Sequence, residues 1–449
     1  MRRTFRPSIP LVAAGAVLAA TTVSGDLLAD PKLAAGSHGS PDFDDLDTNA
    51  VVPSLGPGER IVSPSEARVP PAPQVPIERA SALRPFFQRL REIEGAATTR
   101  DVRVLVYGDS HTQPDIATDV VRQTLAARFG DGGRGFLHVV KPYKTYLQTQ
   151  AKLVLPPSWT IERGKSERGG FVGDGHYGLG GSSAKTTRRG DALAFDVAAP
   201  SSRIEIAFLE QPGGGSFDLV VDGVPRGRVA TSRVTLGSGF RSVDVGHAAH
   251  HVEFVPRGDG EVRIFGLALD RPEVGVTVDA LGIGGARASG MLNWDAAHFA
   301  EQIRHRAPDL VVLAFGTNES GFGTSDATYE KQLRDVLGRI VRSAPNAGCL
   351  LLGPPDWSMK GRDGERATPS KLFEVIATQR RIAGAYGCAY YGQLEAMGGP
   401  GSMELWASVE PPLARKDRVH MTKAGYERLG AGFAGELLRT FDLWKATSH

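Results

Sequence analysis

The sequence predicts an α/β protein whose parallel sheet is interrupted by an inserted β-sandwich of jelly-roll type. Three observations carry this. Strand-like runs alternate with helical periodicity at 102–129 and again at 274–439, the pattern of a parallel α/β sheet. Between about 140 and 275, short alternating or β-branched runs are separated by Gly and Pro turns with no helical periodicity, the pattern of a sandwich or jelly roll. The 449 residues also exceed what one hydrophobic core encloses, so two or three domains are expected.

Residues 1–25 carry Arg2, Arg3 and Arg6, then an uncharged run from 7 to 25 that is most apolar at 9–20. This reads as a signal peptide cleaved after Val23-Ser24-Gly25, or as an uncleaved N-terminal anchor. No cysteine follows to accept a lipid, and Arg2-Arg3-Thr4-Phe5 reads as an ordinary basic segment rather than a twin-arginine signal. Residues 26–76, rich in Pro, Ser, Gly and Asp, read as a disordered linker. The α/β domain is then expected at 77–140 and 276–449, with the insertion at 141–275.

Leu83, Phe86, Phe87, Leu90 and Ile93 recur at helical spacing, so 78–94 is expected as an amphipathic helix kinked at Pro85. A buried strand at 102–107 and a helix at 116–129, ended by Gly130, follow. Strands of the insertion are expected at 152–155, 192–197, 203–209, 217–221, 228–236, 240–245, 251–255 and 261–269. Beyond it, strands at 274–283, 310–315, 349–353 and 389–392 alternate with helices at 292–306, 327–343, 371–386 and 423–439.

Composition narrows the function. Lys+Arg 52 against Asp+Glu 50 leaves a formal charge of +2. No excess field exists to hold nucleic acid, and membrane contact is expected only through an uncleaved N-terminal anchor. Hydrophobic residues at 41% and charged residues at 23% are those of a chain that folds in water. Cys349 and Cys388 are the only cysteines, too few for a disulfide framework or a cysteine zinc site. Each precedes an apolar run, so both suit the starts of neighbouring strands, as a disulfide or, more commonly, as two buried thiols.

In Val104-Leu105-Val106-Tyr107-Gly108-Asp109-Ser110-His111, a serine lies just past a buried strand, where α/β proteins place their sites. Asp-Ser after a strand also suits a helix N-cap. Near the other terminus, Asp417-Arg418-Val419-His420 lets a carboxylate accept from one ring nitrogen while the other faces a serine hydroxyl. Gly316-Thr317-Asn318-Glu319 and Gly282-Ile283-Gly284-Gly285-Ala286 each end a strand. The Asn318 amide and a glycine N–H, with the Ser110 N–H, would make a three-donor oxyanion hole.

In order, these four blocks resemble the SGNH, or GDSL-type, hydrolase superfamily over about 80–140 and 275–449. Its block residues correspond to Ser110, Gly285, Asn318 and the pair Asp417 and His420. His111 stands where Leu is usual, and Gly284 is the alternative to Gly285 in block two. The resemblance implies a flavodoxin-like three-layer α/β/α domain without metal or cofactor that hydrolyses esters through an acyl-enzyme. Ser110 would attack, His420 would act as base and then acid, and Asp417 would orient the imidazole. The superfamily's sheet order also implies that the two cysteine-bearing strands are neighbours. Gly108 to Gln113, the β-rich insertion, and Trp406 ahead of 417–426 are similar to bacterial peptidoglycan O-acetylesterases, whose inserted module resembles a carbohydrate-binding domain. That similarity implies an enzyme of the periplasm or cell envelope that removes acetyl groups from the C6 oxygen of muramic acid. Two rivals are an acetyltransferase, or an esterase of another acetylated glycan, and a glycan-binding envelope protein without activity. The presence of all five residue types counts against the last.

Other signals are read as structural. His247-Ala248-Ala249-His250-His251 lacks the helix and glutamate of a metalloprotease signature and is expected as an exposed β turn. Residues 178–186 mimic a phosphate loop but are expected as a flexible Gly-Ser loop. Arg189-Gly190-Asp191 is a chance tripeptide. Asp109 and Glu319 are not taken as a glycosidase pair, since Asp109 suits bracing of the turn around Ser110.

Overall fold

A computed structural model describes residues 71–139, 148–164, 166–167, 170–171, 173–321, 323–361 and 364–447. The expected signal or anchor at 1–25 and most of the linker at 26–76 lie outside these residues.

Helix α1 (Arg84–Glu94) begins with Pro85 in its first turn, where the missing N–H goes unused, and buries Phe86, Phe87 and Leu90. A separate 3₁₀ turn, Ala80–Leu83, precedes it, so the helix expected over 78–94 is not one kinked element. β1 (Val102–Gly108) and α2 (Ile116–Phe129) follow, and the N–H of Gly130 closes α2 on the Ala126 carbonyl.

The insertion supplies β2 (Gly135–His138), β3 (Ala151–Val154), β4 (Thr160–Arg163), β5 (Ser166–Glu167), β6 (Gly170–Phe171) and β7 (Ser182–Thr186). It continues with β8 (Leu193–Glu210), β9 (Ser216–Val221), β10 (Val224–Ala230), β11 (Gly237–Pro256) and β12 (Val262–Asp270). Nine of these form one sheet in the order β10-β9-β11-β8-β12-β7-β4, with β2 on β12 and β3 on β8. Its pairings are antiparallel. β2 already belongs to it, ahead of the boundary expected at 141. The strands enclose a core that includes Leu137, Leu153, Phe195, Ile206, Phe217, Phe254 and Leu267.

Three expectations are corrected here. β8 and β11 each run unbroken through what read as two strands. The register between them shifts between Asp244 and Ala248 and again between Ala248 and His250, irregularities that bend a strand without ending it. His247 to His251 therefore lies within β11 rather than in a turn. The Gly-Ser stretch expected as a flexible loop contains β7, whose Ser182 and Ser183 are fully buried.

The second part of the α/β domain comprises β13 (Val276–Gly282), α3 (Ala296–Arg306), β14 (Leu310–Ala314), α4 (Thr317–Gly321), α5 (Asp326–Ser343) and β15 (Gly348–Leu352). A hairpin of β16 (Met359–Lys360) and β17 (Arg366–Ala367) follows. Then come α6 (Ser370–Ala385), β18 (Ala389–Tyr391), α7 (Gln393–Met397), α8 (Ser402–Ser408) and α9 (Lys423–Thr447). The helix expected at 292–306 starts only at Ala296, where the Asp295 side chain caps it by accepting from the His298 N–H; a 3₁₀ turn, Ala288–Asn293, fills the space before it.

The five parallel strands lie in the order β13-β1-β14-β15-β18. Numbered by position in the chain this is 2-1-3-4-5, the flavodoxin-like order. Alternation along β1 separates the two faces. Val104 and Val106 pack with Phe87, Val121, Leu125, Phe433 and Leu437 of α1, α2 and α9. Leu105 and Tyr107 pack with Phe299, Leu333, Val336 and Ile376 of α3, α5 and α6. Cys349 and Cys388, at the starts of the paired strands β15 and β18, form a disulfide with 4.7 Å between Cα atoms.

The insertion shares the second of these faces, to which it contributes Phe136, Tyr177, Leu179 and Phe265. Trp294 sits at the joint. Its indole N–H donates to the Gly164 carbonyl at 2.6 Å, and Gly181, at φ +69°, lies so near the ring that a Cβ there would come within 2.1 Å. Buried Asp279 of β13 accepts from Arg306 at 2.7 and 3.0 Å and from the Phe136 N–H of β2 at 2.7 Å. Asp115 accepts from Arg122, Arg134, Thr118 and both the N–H and hydroxyl of Thr149. Burial alone would raise the Asp115 carboxyl; the two guanidinium groups and these hydrogen bonds outweigh it and hold it down to about 2.

Gly181→Ala should therefore lower the unfolding free energy by about 1–3 kcal/mol, the usual scale of overpacking. Denaturant titration checks this, and a variant as stable as the parent would contradict the close contact with Trp294.

Candidate active site

Gly108, the last residue of β1, stands opposite Gly282 of β13 and Ala314 of β14. Three loops thus leave one edge of the sheet side by side, where the chain order switches and α/β folds place their sites. The loop after β1 folds back at once. A Cβ on Gly108 would lie 2.0 Å from Thr112 Oγ1 and 2.9 Å from the Ala314 carbonyl, so only glycine permits the turn. Asp109 Oδ1 accepts from the His111 N–H at 2.9 Å, and the Asp109 carbonyl accepts from Gln113 at 3.1 Å. Asp109 thus braces the turn, as expected. Neither it nor Ser110 caps α2, whose cap position is Asp115. Burial, aided by the charge of nearby Glu319, pushes the Asp109 carboxyl up to about 8 against the His111 hydrogen bond.

Ser110 Oγ lies 2.9 Å from His420 Nε2, across 310 positions of sequence. His420 Nδ1 lies 2.8 Å from Asp417 Oδ2, while Asp417 Oδ1 accepts from the N–H groups of Val419 and His420, each at 2.9 Å. Partial burial works to raise the Asp417 carboxyl, but the hydrogen bond and charge of His420, with the two backbone donors, hold it down to about 2. Arg418, at φ +61°, turns the loop between them and is tied to Glu404 at 2.9 Å.

Gly285, at φ +72°, occupies the third position of a turn closed by the Ala286 N–H on the Ile283 carbonyl. The Ile283 N–H in turn donates to Gly108 O at 3.0 Å. Asn318, in the first turn of α4, donates from Nδ2 to the Ala286 carbonyl at 2.9 Å and to Asp109 Oδ2 at 3.4 Å. It thereby spans the residues beside Gly285 and Ser110. The five residues expected at the site, Ser110, Gly285, Asn318, Asp417 and His420, come from three loops and the first turn of α4, at one edge of the sheet.

Sequence reading missed several supports. The His111 ring lies 5.4 Å from that of His420, and its Nδ1 is 3.2 Å from Tyr426 Oη. Only the departure from Leu at this position marked it. Glu319 Oε1 accepts from the Ala288 N–H at 2.8 Å. The loop after β15 joins the two halves of the site, with Trp357 donating to Ser320 Oγ at 2.9 Å and the Ser358 N–H to the Arg418 carbonyl at 3.0 Å. Nothing local in sequence marks such contacts. Among the described residues no group of three His, Cys, Asp or Glu side chains is placed to hold a metal ion, and no helix is long and apolar enough to cross a membrane. In the histidine cluster of β11, His250 is engaged by Asp222 at 2.7 Å and by the Gly246 and Ser201 carbonyls.

The model of the GDSL-like Lipase/Acylhydrolase family matches residues 258–428. That span holds Gly285, Asn318, Asp417 and His420; Ser110 lies beyond it, on the far side of the insertion. A search of curated proteins returned no match. Among solved structures, "Peptidoglycan O-acetylesterase in action, 5 min" is 27% identical, covers 81% of this chain and 98% of its own, and has a TM-score of 0.67. A family two carbohydrate esterase from Cellvibrio japonicus is 13% identical over 65% of this chain and 98% of its own, but its TM-score of 0.27 is too low to inform this one. The parallel 2-1-3-4-5 sheet, the match of residues 258–428 to the GDSL-like model and the likeness across the insertion together support an SGNH hydrolase close to peptidoglycan O-acetylesterases, and a carboxylic ester hydrolase.

Proposed function

We propose that this esterase is exported and removes acetyl groups from peptidoglycan, at the C6 oxygen of muramic acid, through an acyl-enzyme. The observation that carries the mechanism is the unbroken chain from Ser110 through His420 to Asp417, with contacts of 2.9 and 2.8 Å. Ser110 Oγ attacks the acetyl carbonyl as His420 Nε2 takes its proton, and His420 then gives that proton to the departing sugar oxygen. Water, deprotonated by the same imidazole, then attacks the acetyl carbonyl, and the bond to Ser110 Oγ breaks as His420 returns that proton to it, which releases acetate and restores the serine. Asp417, ionised throughout, keeps Nδ1 protonated and the ring oriented.

The N–H groups of Ser110 and Gly285 and the Asn318 amide stabilise the oxyanion. The Asn318 amide has two hydrogens, and the long contact to Asp109 is the one it exchanges for substrate. The glycan assignment is supported by the likeness to a peptidoglycan O-acetylesterase over nearly the whole of that chain. Export to the periplasm or cell envelope is supported by the basic then apolar N-terminal segment and by the Cys349–Cys388 disulfide, a bond that persists in oxidising compartments. Carbohydrate binding by the insertion belongs to the same reading.

Acetate release from O-acetylated peptidoglycan, acetylated xylan and a chromogenic acetate is the direct test. Peptidoglycan should be the preferred polymer; preference for xylan, or transfer of the acetyl group to a sugar hydroxyl in place of water, would replace this substrate or this reaction. Ser110→Ala and His420→Ala should lower turnover by roughly 10⁴-fold on all three. Asn318→Ala should lower it by about 10²–10³ on each ester alike. Near-parental rates in the serine or histidine variant would remove the proposed roles.

Asp417 also makes stability depend on pH. Its folded value near 2 lies below an unfolded value of ~3.9, so its contribution is present above pH ~4 and is lost as pH falls toward 2. In thermal melts the advantage of the parent over Asp417→Asn should therefore shrink across that window. A constant difference from pH 6 to 2 would contradict it.

A further inference from the structure

The hydrogen bonds at the two ring nitrogens of His420 fix where Nδ1 and Nε2 lie more firmly than they fix the plane of the ring, and a turn of that plane swings the Nε2 lone pair away from the serine hydroxyl. The ring beside the imidazole is that of His111. The two ring centroids are 5.4 Å apart with planes inclined at 36°. The His111 backbone N–H is fixed by Asp109, and its Nδ1 lies 3.2 Å from the hydroxyl of Tyr426, which is fully buried in the first turn of α9. The Tyr426 ring also meets the His111 ring edge-on at 6.0 Å. α9 starts three residues after His420, so one short stretch of chain carries the base and the anchor of the ring that supports it.

Histidine at 111 is costly to bury. Its Nε2 is shut from solvent without a hydrogen-bond partner among the described residues, in a place that an apolar side chain would fill without that loss. What a leucine lacks is a polar atom for Tyr426 and an aromatic ring beside His420. Resting on the reading of His420 as the general base, we propose that His111 is a positioning residue, a ring tethered to Tyr426 that holds the His420 imidazole in line between Asp417 and Ser110. Burial, with the charge of His420 beside it, pushes the His111 imidazole down to about 3 against the pull of Asp417, so it stays neutral when His420 takes the serine proton.

The test uses the full chain with a chromogenic acetate, separating kcat from KM and recording Tm for each variant. His111→Leu should lower kcat about tenfold with KM unchanged, and Tyr426→Phe, which keeps the aromatic ring in α9, should do the same. Their double variant should be no slower than His111→Leu alone, because both remove one tether. His111→Asn, which restores a polar atom near Nδ1, should recover part of the loss. A His111→Leu enzyme within twofold of the parent, additive losses in the double variant, or losses that follow Tm with no recovery in the Asn variant would each overturn the proposal. Ser110→Ala, run beside them, separates this failure from failure of the serine mechanism: if it is active, the base assignment itself falls.

Discussion

The site depends on the register of β1 between its two neighbours, with Gly108 opposite both Gly282 and Ala314. A shift by one residue would turn Val104 and Val106 toward α3 and α5 and send Leu105 and Tyr107 the other way, exchanging the two faces of the core. It would also move the Ser110 loop along the sheet relative to the turn bearing Gly285 and the helix bearing Asn318. The glycine at the end of β1 serves the same constraint, since it lets Thr112 and the Ala314 carbonyl close on the strand end. Positions that are far apart in sequence thus become neighbours through backbone pairing first, and side-chain chemistry follows.

The insertion belongs to this frame rather than hanging from it. Trp294 lies between Tyr107 of β1, at 6.2 Å, and Tyr177 of the insertion, at 6.4 Å. Asp279 and Asp115 add buried charge at the same seam. Neither would be tolerated without its guanidinium partners, and removal of one partner from such a pair costs about 3–5 kcal/mol. A surface of this kind transmits the position of the inserted sheet to the strands that carry the site, even though none of the five site residues lies within 141–275.

The parallel sheet and the four blocks were legible because their signals are local. Helix α2 matches its expected span of 116–129 at both ends, from apolar periodicity and the Gly130 stop alone. The insertion was harder to read. Pro200 and Gly246 look like strand ends, yet β8 and β11 absorb them at bends and keep pairing on both sides. β7 carries buried serines and so has no apolar alternation to detect. At the site, Ser110, Asp417 and His420 were legible as motifs. The bracket of His111 and Tyr426, 315 positions apart, and the Asp115 cluster were not, because only the fold brings such residues together.

The chain leaves the α/β domain after α2 at Gly130 and returns at Val276, and these two points touch: the Val276 N–H donates to the Gly130 carbonyl at 2.9 Å, and the Arg271 N–H donates to the Gly132 carbonyl at 3.0 Å. This pairing bears on how the protein assembles. β1 must find β13 across the whole insertion, a long loop whose closure by an unfolded chain costs entropy and time. Once the antiparallel sheet has formed, its own ends lie side by side and little loop is left to close. The inserted sheet then acts as a clasp, and the slowest contact of the parallel sheet becomes, in effect, a local one.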